Sequence, residues 1–261
     1  MKVLKFLVLF YAVFVLTFTS AQTRAQTANK EVVHLFTIEE LDQNGKSLPL
    51  AKDSKELLAY LENAMGVRFE VRRVPWKRAI EYALNDEEAL LMGMSKTQER
   101  LTKFAFSDPI SANGNWLVTR CENSFVFNEL EDLRGKVIGV VSGTSAGDEF
   151  DQQANLIYKV ERDISAGANR LQKLLLGRVD ALVWYGVTTD VKAMDEIINR
   201  RLENLPLEAK TNKPNRLCVL PKPLSIVTNH FSMKLRDEPN KLLARINLAL
   251  AKGRKGGQIP K

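Results

Sequence analysis

The sequence predicts an α/β protein, with helices packed on parallel or mixed sheets, and three observations predict it. The first third runs strand, helix, strand, helix, strand, an order that lays crossover helices over a sheet. Near Gly135 the same kind of order restarts with apolar segments of its own, so a second α/β unit follows. No internal repeat or low-complexity stretch interrupts either unit.

Taken in order, EVVHLFTI (31–38) reads as a strand, and LDQNGKSLP after it as a loop. DSKELLAYLENAMG (53–66) reads as a helix. Asp53 or Ser54 can cap it, Leu57, Leu58, Leu61 and Met65 share a face, and Gly66 ends it. VRFEVRRV alternates as a strand, and PWKRAIEYAL starts a helix with Pro75 at its first turn, where a missing N–H does no harm. ALLMGM is a buried strand. SDPISANGN reads as connection, and WLVTR as the next strand. GKVIGVV opens the second unit, SGTSAGDEF turns into a helix, ANRLQKLLLG is an amphipathic helix with a glycine stop, and RVDALVWYG is a strand. HFSMKL alternates as a strand, and PNKLLARINLALAKG closes as a helix with Leu242, Leu243, Ile246 and Leu250 on one side.

The chain has 261 residues, net charge +7, two histidines and two cysteines. Lys2 and Lys5 precede an apolar run to Phe18 and the small residues Thr19, Ser20 and Ala21, the order of a cleaved export signal over residues 1–21. That run is shorter than the about 20 residues a membrane span needs. Removing residues 1–21 from 261 leaves 240, enough for one large or two small domains. Basic residues are dispersed among acidic ones with no aromatic-basic platform, which argues against nucleic acid as a partner. His34, His230 and two distant cysteines offer no metal-ligand spacing, and no cofactor is expected. In an exported protein Cys121 and Cys218 can form a disulfide; two separate buried thiols are the alternative.

Ser95, Thr97 and Arg100 follow directly on a buried strand. Ligands of open α/β sheets sit outside the C-terminal ends of strands, and arginine presents a planar fork that fits a carboxylate. VVSGTSAGDEF collects backbone N–H groups and the hydroxyls of Thr144 and Ser145 at a helix start, a setting that favours an anion. Trp76 and the pair Trp184 and Tyr185 are candidates to flank the cleft. Gly143 to Gly147 also fits the G-x-S-x-G pattern of serine hydrolases, with Asp180 or Asp195 and His230 downstream. His230 opens a strand instead of sitting in a loop, however, and no glycine-rich oxyanion motif precedes Ser145.

The segments GMSKTQERLTKFAFSDPI, DLRGKVIGVVSGTSAGDEF and LLLGRVDALVWYG resemble, in order, the bacterial extracellular solute-binding proteins of family 3, which have the type II periplasmic binding protein fold. The resemblance implies two α/β lobes, each a mixed sheet flanked by helices. Lobe 1 would be residues 26–117 and 230–261, lobe 2 the inserted residues 118–229, with hinge crossings at NGNWLVTR and SIVTNHFSMKL. It implies a periplasmic monomer, not an enzyme, that holds a small carboxylate-bearing solute, an amino acid or related organic acid, and meets an inner-membrane permease or sensor. Arg100 would hold the carboxylate, with Ser95, Gly93, Thr144 and Ser145 around it. One departure is visible: where such amino-acid binders carry an acid for the ammonium group, this chain has Tyr185. Glu39 or Asp148 could replace that acid. A dehydratase-like enzyme on the same scaffold, using Glu39, Asp148 or Glu149, and a sensory module are the alternatives.

Overall fold

The computed structural model describes residues 30–186, 188–204, 216–237 and 241–259. The predicted leader, residues 1–21, lies outside the described residues. The first strand is β1 (Glu31–Ile38), followed by the short β2 (Glu40–Leu41) and the helix α1 (Lys52–Met65). Gly66 closes α1 in the left-handed region, its N–H donating to the Glu62 carbonyl at 3.0 Å. The predicted cap is not formed: Ala51 holds the N-cap without a side-chain bond, and Asp53 falls in the first turn. Next come β3 (Val67–Val74), α2 (Trp76–Asn85) with Pro75 at its cap, β4 (Leu90–Ser95) and the single turn α3 (Gln98–Leu101).

The strand expected at WLVTR is the end of a much longer one, β5 (Phe104–Arg120). Beyond it lie β6 (Val137–Val141), α4 (Asp148–Gln153), β7 (Lys159–Asp163), β8 (Ala166–Gly167), α5 (Ala168–Leu175) and β9 (Ala181–Tyr185). The chain continues with α6 (Val191–Glu203), β10 (Leu217–Val219), β11 (Ser225–Lys234) and α7 (Lys241–Lys255).

One mixed sheet runs β3-β1-β4-β11-β5-β9-β6-β7, with β10 paired to β5. β1 pairs in parallel with β3 and β4, and β6 in parallel with β7 and β9. Between these parallel blocks, β11 runs antiparallel to β4 and β5, and β5 antiparallel to β9. This pairing overrides the turn-forming residues of SDPISANGN. Pro109 is tolerated because it faces His230 where the register slips, at an irregularity that spares a ladder bond.

The cores divide accordingly. In the first lobe, α1 and α7 cover one face over Leu35, Phe69, Leu90 and Phe231, while Trp76 and Ala79 of α2 pack on the other over Phe36 and Leu91. In the second, Leu171 and Leu174 of α5 and Ile198 of α6 pack with Trp116 and Trp184, and Phe150 and Tyr158 pack with Ile138 and Val140. Core membership changes lobe between Ile110 and Trp116 on β5, and between Leu224, just before β11, and Phe231 within it. Those two strands are the crossings.

A second link joins the lobes away from the main sheet. β2 pairs in parallel with β8, matching Glu40 to Ala166 and Leu41 to Gly167. Arg201 forms an ion pair with Glu40 beside it. Gly167 (φ 140°) is required there, because a Cβ would collide with the backbone of Leu41. Cys121 and Cys218 form a disulfide (S–S 2.02 Å) across 97 residues, a closure that contributes about 4–5 kcal/mol in the chain-entropy account. Among the described residues, no helix is long and apolar enough to cross a membrane.

Candidate functional site

β4 ends at Ser95, and the chain enters α3 through Thr97, whose Oγ1 accepts the Arg100 backbone N–H at 3.1 Å. This cap sets the turn from which the Arg100 side chain returns to the strand end. Its Nη1 donates to the Ser95 carbonyl and to Ser95 Oγ, both at 2.8 Å. Its Nη2 crosses the cleft to the Gly143 carbonyl of the second lobe, also at 2.8 Å. Gly143 (φ 80°) makes that approach possible: a Cβ there would lie 2.9 Å from Lys77 Cα in α2.

Arg100 is only 9% exposed. Burial pushes its guanidinium below the usual arginine pKa, opposed by the charge of Asp151. Even so, among the described residues Arg100 has no ion pair, and its Nε has no hydrogen-bond acceptor.

Across the cleft, the turn after β6 is closed upon itself. Thr144 Oγ1 donates to the Val141 carbonyl at 2.6 Å and receives the Tyr185 hydroxyl. Burial raises the Tyr185 pKa, with the Thr144 bond working the other way. Ser145 Oγ donates to the Asp151 carboxylate and accepts the Gly147 N–H at 3.1 Å. Burial also raises the Asp151 pKa, opposed by the bonds from Ser145 and Ala146. The protons of Thr144 and Ser145 are therefore engaged inside the turn. The helix start expected to attract an anion is occupied differently: Gly147 holds the cap, and Asp148, Glu149 and Asp151 already bring negative charge to the first turn of α4.

A cavity of about 600 Å³ lies between the lobes. The first lobe lines it with Trp76, Gly93, Ser95 and Arg100, and the second with Thr144, Ser145 and Tyr185. Gly93 (φ 97°) is exposed within β4, with nothing within 4 Å of where a Cβ would stand. The crossing strands add Asn113, Asn115 and Asn229, which the sequence reading did not single out. Asn113 and Asn115 lay in a stretch that read as a connection. Asn115 donates to Ser225 Oγ at 2.9 Å, tying the two crossings together, and Ser225 Oγ donates in turn to the Ala146 carbonyl at 2.5 Å.

Three other candidates stand elsewhere. Trp184 does not line the cavity; it is 7% exposed in the second-lobe core, with the guanidinium carbons of Arg170 and Arg201 at 5.7 and 5.5 Å from its ring centre. Adjacent residues of a strand face opposite ways, so Tyr185 at the cavity sends Trp184 to the helix-covered side. Glu39 accepts the Ser165 hydroxyl at 2.6 Å, and Asp148 accepts the Gln98 N–H at 3.1 Å, so each carboxylate ties one lobe to the other outside the lining. The one carboxylate among the described lining residues is Asp53, which the sequence had suggested as a helix cap. The hydrolase pattern does not assemble either. Ser145 is bonded to Asp151, while His230 is bonded to Ser107 and Thr228.

Known proteins share this architecture. Holo ArgBP from T. maritima superposes with a TM-score of 0.65 at 23% identity, over 85% of this chain and 89% of that one. AbpA from Streptococcus pneumoniae, bound to L-arginine, gives 0.65 at 17% identity, over 87% and 90%. At these identities the likeness establishes the fold, that of type II periplasmic binding proteins. PatH of Vibrio harveyi, named as an amino-acid ABC transporter-binding protein, is 27% identical over 176 residues. The match takes in 64% of this chain and spans 60% of the length of PatH. Residues 54–261 match the model of the bacterial extracellular solute-binding proteins, family 3, a family defined by binding and not by turnover, and the chain belongs to that family.

Proposed function

We propose that this protein captures a small carboxylate-bearing solute between its lobes in the periplasm, as a monomer, and delivers it to a membrane permease. The lobes are residues 26–117 with 230–261, and 118–229, after removal of the leader 1–21. The observation that carries the reading is Arg100: a nearly buried cation on the cavity wall with no carboxylate partner among the described residues. Asp151 acts on this charge only from a distance, without an ion pair, and a ligand carboxylate would supply a direct counter-ion for a buried charge that is costly without one. Nε and the rest of Nη2 offer it donors, and Ser95 Oγ, which accepts from Arg100, keeps its own proton for it. Gly93 leaves open space beside the acid, and Trp76 provides an apolar wall. Thr144, Ser145 and Tyr185 act chiefly by shaping the turn that closes over the ligand.

Tyr185 bears on the chemical class. Its hydroxyl is engaged with Thr144, so no anionic oxygen stands where an α-ammonium group would need one. An organic acid without that ammonium suits the site better than an α-amino acid. A thermal-shift screen of carboxylic and amino acids tests the reading. At a hundredfold excess over Kd a true ligand adds about 2.7 kcal/mol, a rise in Tm of roughly 5–10 °C for a chain of this size. Arg100→Ala should abolish that rise. A ligand whose shift survives in Arg100→Ala overturns the assignment.

A further inference from the structure

The cavity is larger than a single carboxylate anchor requires, and its far end is polar too. Its volume, about 600 Å³, falls within the roughly 300–1,000 Å³ of sites for larger small molecules. Tyr60 of α1 donates to the Ala249 carbonyl of α7 at 3.0 Å, and Arg245 of α7 donates to the Met65 carbonyl at 3.1 Å. The two helices are thus antiparallel, which brings the start of α1 and the end of α7 to the same end of the molecule. There Asp53, Ser54 and Arg254 line the cavity.

Arg254 donates through Nη2 to the Pro109 carbonyl, but its Nε is buried with no hydrogen-bond partner. That Nε is closed to solvent, so the donor left for a ligand oxygen on the cavity wall is Nη1, which makes no hydrogen bond among the described residues. Arg254 also makes no ion pair with Asp53 among the described residues.

The sheet register gives the span. Ser95, which anchors Arg100, pairs with Asn229 on β11, and Asn229 pairs with Ser111 on β5. Pro109, which anchors Arg254, lies two residues before Ser111. Two strand spacings separate the anchors laterally, so they stand roughly 10 Å apart or slightly more. Two arginines against one exposed carboxylate make the described wall net positive. Asp53 opposes an anion at the far end, but it faces solvent and is screened.

We infer that Arg254 forms a second anion anchor in this cavity and that the solute is an extended dicarboxylate, one acid on Arg100 and the other on Arg254. The inference rests on the carboxylate reading above and adds a second contact to it. A dicarboxylate of about four to six carbons fits the spacing once both hydrogen-bond lengths are allowed for.

Calorimetric titration of the mature protein with glutarate, adipate and the matched monocarboxylates valerate and hexanoate tests it. The parent should bind the better dicarboxylate at least tenfold tighter than its monocarboxylate. Arg254→Met should remove that ratio by weakening the dicarboxylate far more than the monocarboxylate. Arg254→Lys, which keeps the charge, should retain part of the ratio and guards against a folding artefact. A parent ratio near one, or a full ratio persisting in Arg254→Met, overturns the second anchor while leaving Arg100 in place. The carboxylate reading itself fails differently: then neither monocarboxylate nor dicarboxylate binds, or Arg100→Met leaves both Kd values unaltered, and the second anchor falls with it.

Discussion

Each lobe buries an arginine, and the two are treated in opposite ways. Arg170 in α5, 2% exposed, donates through Nε to Asp163 at 2.9 Å and through Nη2 to the Gly139 and Val183 carbonyls at 3.1 and 3.0 Å. Lys173 reaches the same carboxylate at 2.8 Å, so the charge is answered within the lobe. Arg100 is nearly as buried, yet its described acceptors are two carbonyls and a hydroxyl. The difference teaches how to read a buried cation. One whose counter-ion comes from the protein holds the fold together, and one without an ion pair is the better candidate for meeting a solute.

The strongest way to break this comparison is Arg170→Met. It strands Asp163 with Lys173 alone and should destabilise the protein by about 3–5 kcal/mol, read as a fall in the urea midpoint. A loss under 1 kcal/mol would mean that the Asp163 network is not structural. Arg100→Met should do the reverse. Its stability should change by about 1 kcal/mol or less, while loss of a charge-assisted bond worth about 1.5–3 kcal/mol weakens carboxylate binding roughly 10- to 150-fold. Equal effects of the two variants on stability would erase the distinction.

Gly167→Ala probes closure without touching either arginine. A Cβ at residue 167 cannot coexist with the β2–β8 pairing, so the lobes should lose that link. Losing a few backbone bonds at about 1 kcal/mol each predicts a several-fold weaker ligand affinity and a larger radius of gyration by X-ray scattering, with the disulfide intact. An unchanged radius and affinity would show that the pairing does not restrain the lobes.

The smallest effect concerns a third buried basic group. His230 escapes the problem by remaining neutral, with Nδ1–H donating to the Ser107 carbonyl at 2.8 Å and Nε2 accepting the Thr228 hydroxyl at 2.9 Å. Burial lowers its pKa below the ordinary histidine value. The native state therefore binds fewer protons than the unfolded one as pH falls through about 6.5. The contribution is complete above that pH and is lost toward the lower native pKa, at no more than about 1.4 kcal/mol per pH unit. Urea midpoints at pH 7.5 and 5.5 should fall further in the parent than in His230→Gln. Parallel declines would remove His230 from the account.

Much of this was legible in the sequence, and the failures have identifiable causes. Arg100 stood out because a polar loop broke an apolar run at a strand end, where open sheets place ligands. Arg170 did not, because on an amphipathic helix an arginine reads as solvated until Asp163 and Lys173 are brought to it by the fold. Trp184 and Tyr185 could not be separated: β9 is covered on both faces, and a uniformly apolar strand carries no alternation to show which residue faces the cleft. Asp53 served equally well as a cap in local terms, and only the antiparallel packing of α1 and α7 reveals the cavity beside it. The long β5 was hidden by Pro109 and two asparagines, whose turn preference loses to pairing with two neighbouring strands.

The bond between Cys121 and Cys218 sits where the inserted lobe leaves and re-enters the crossing strands, beside the pairing of Cys218 with Thr119. A protease that nicks the chain once anywhere between those cysteines releases nothing. Under oxidising conditions the severed polypeptide still travels as one molecule and comes apart only when a reductant is added, so damage to this lobe stays invisible until the thiols are freed.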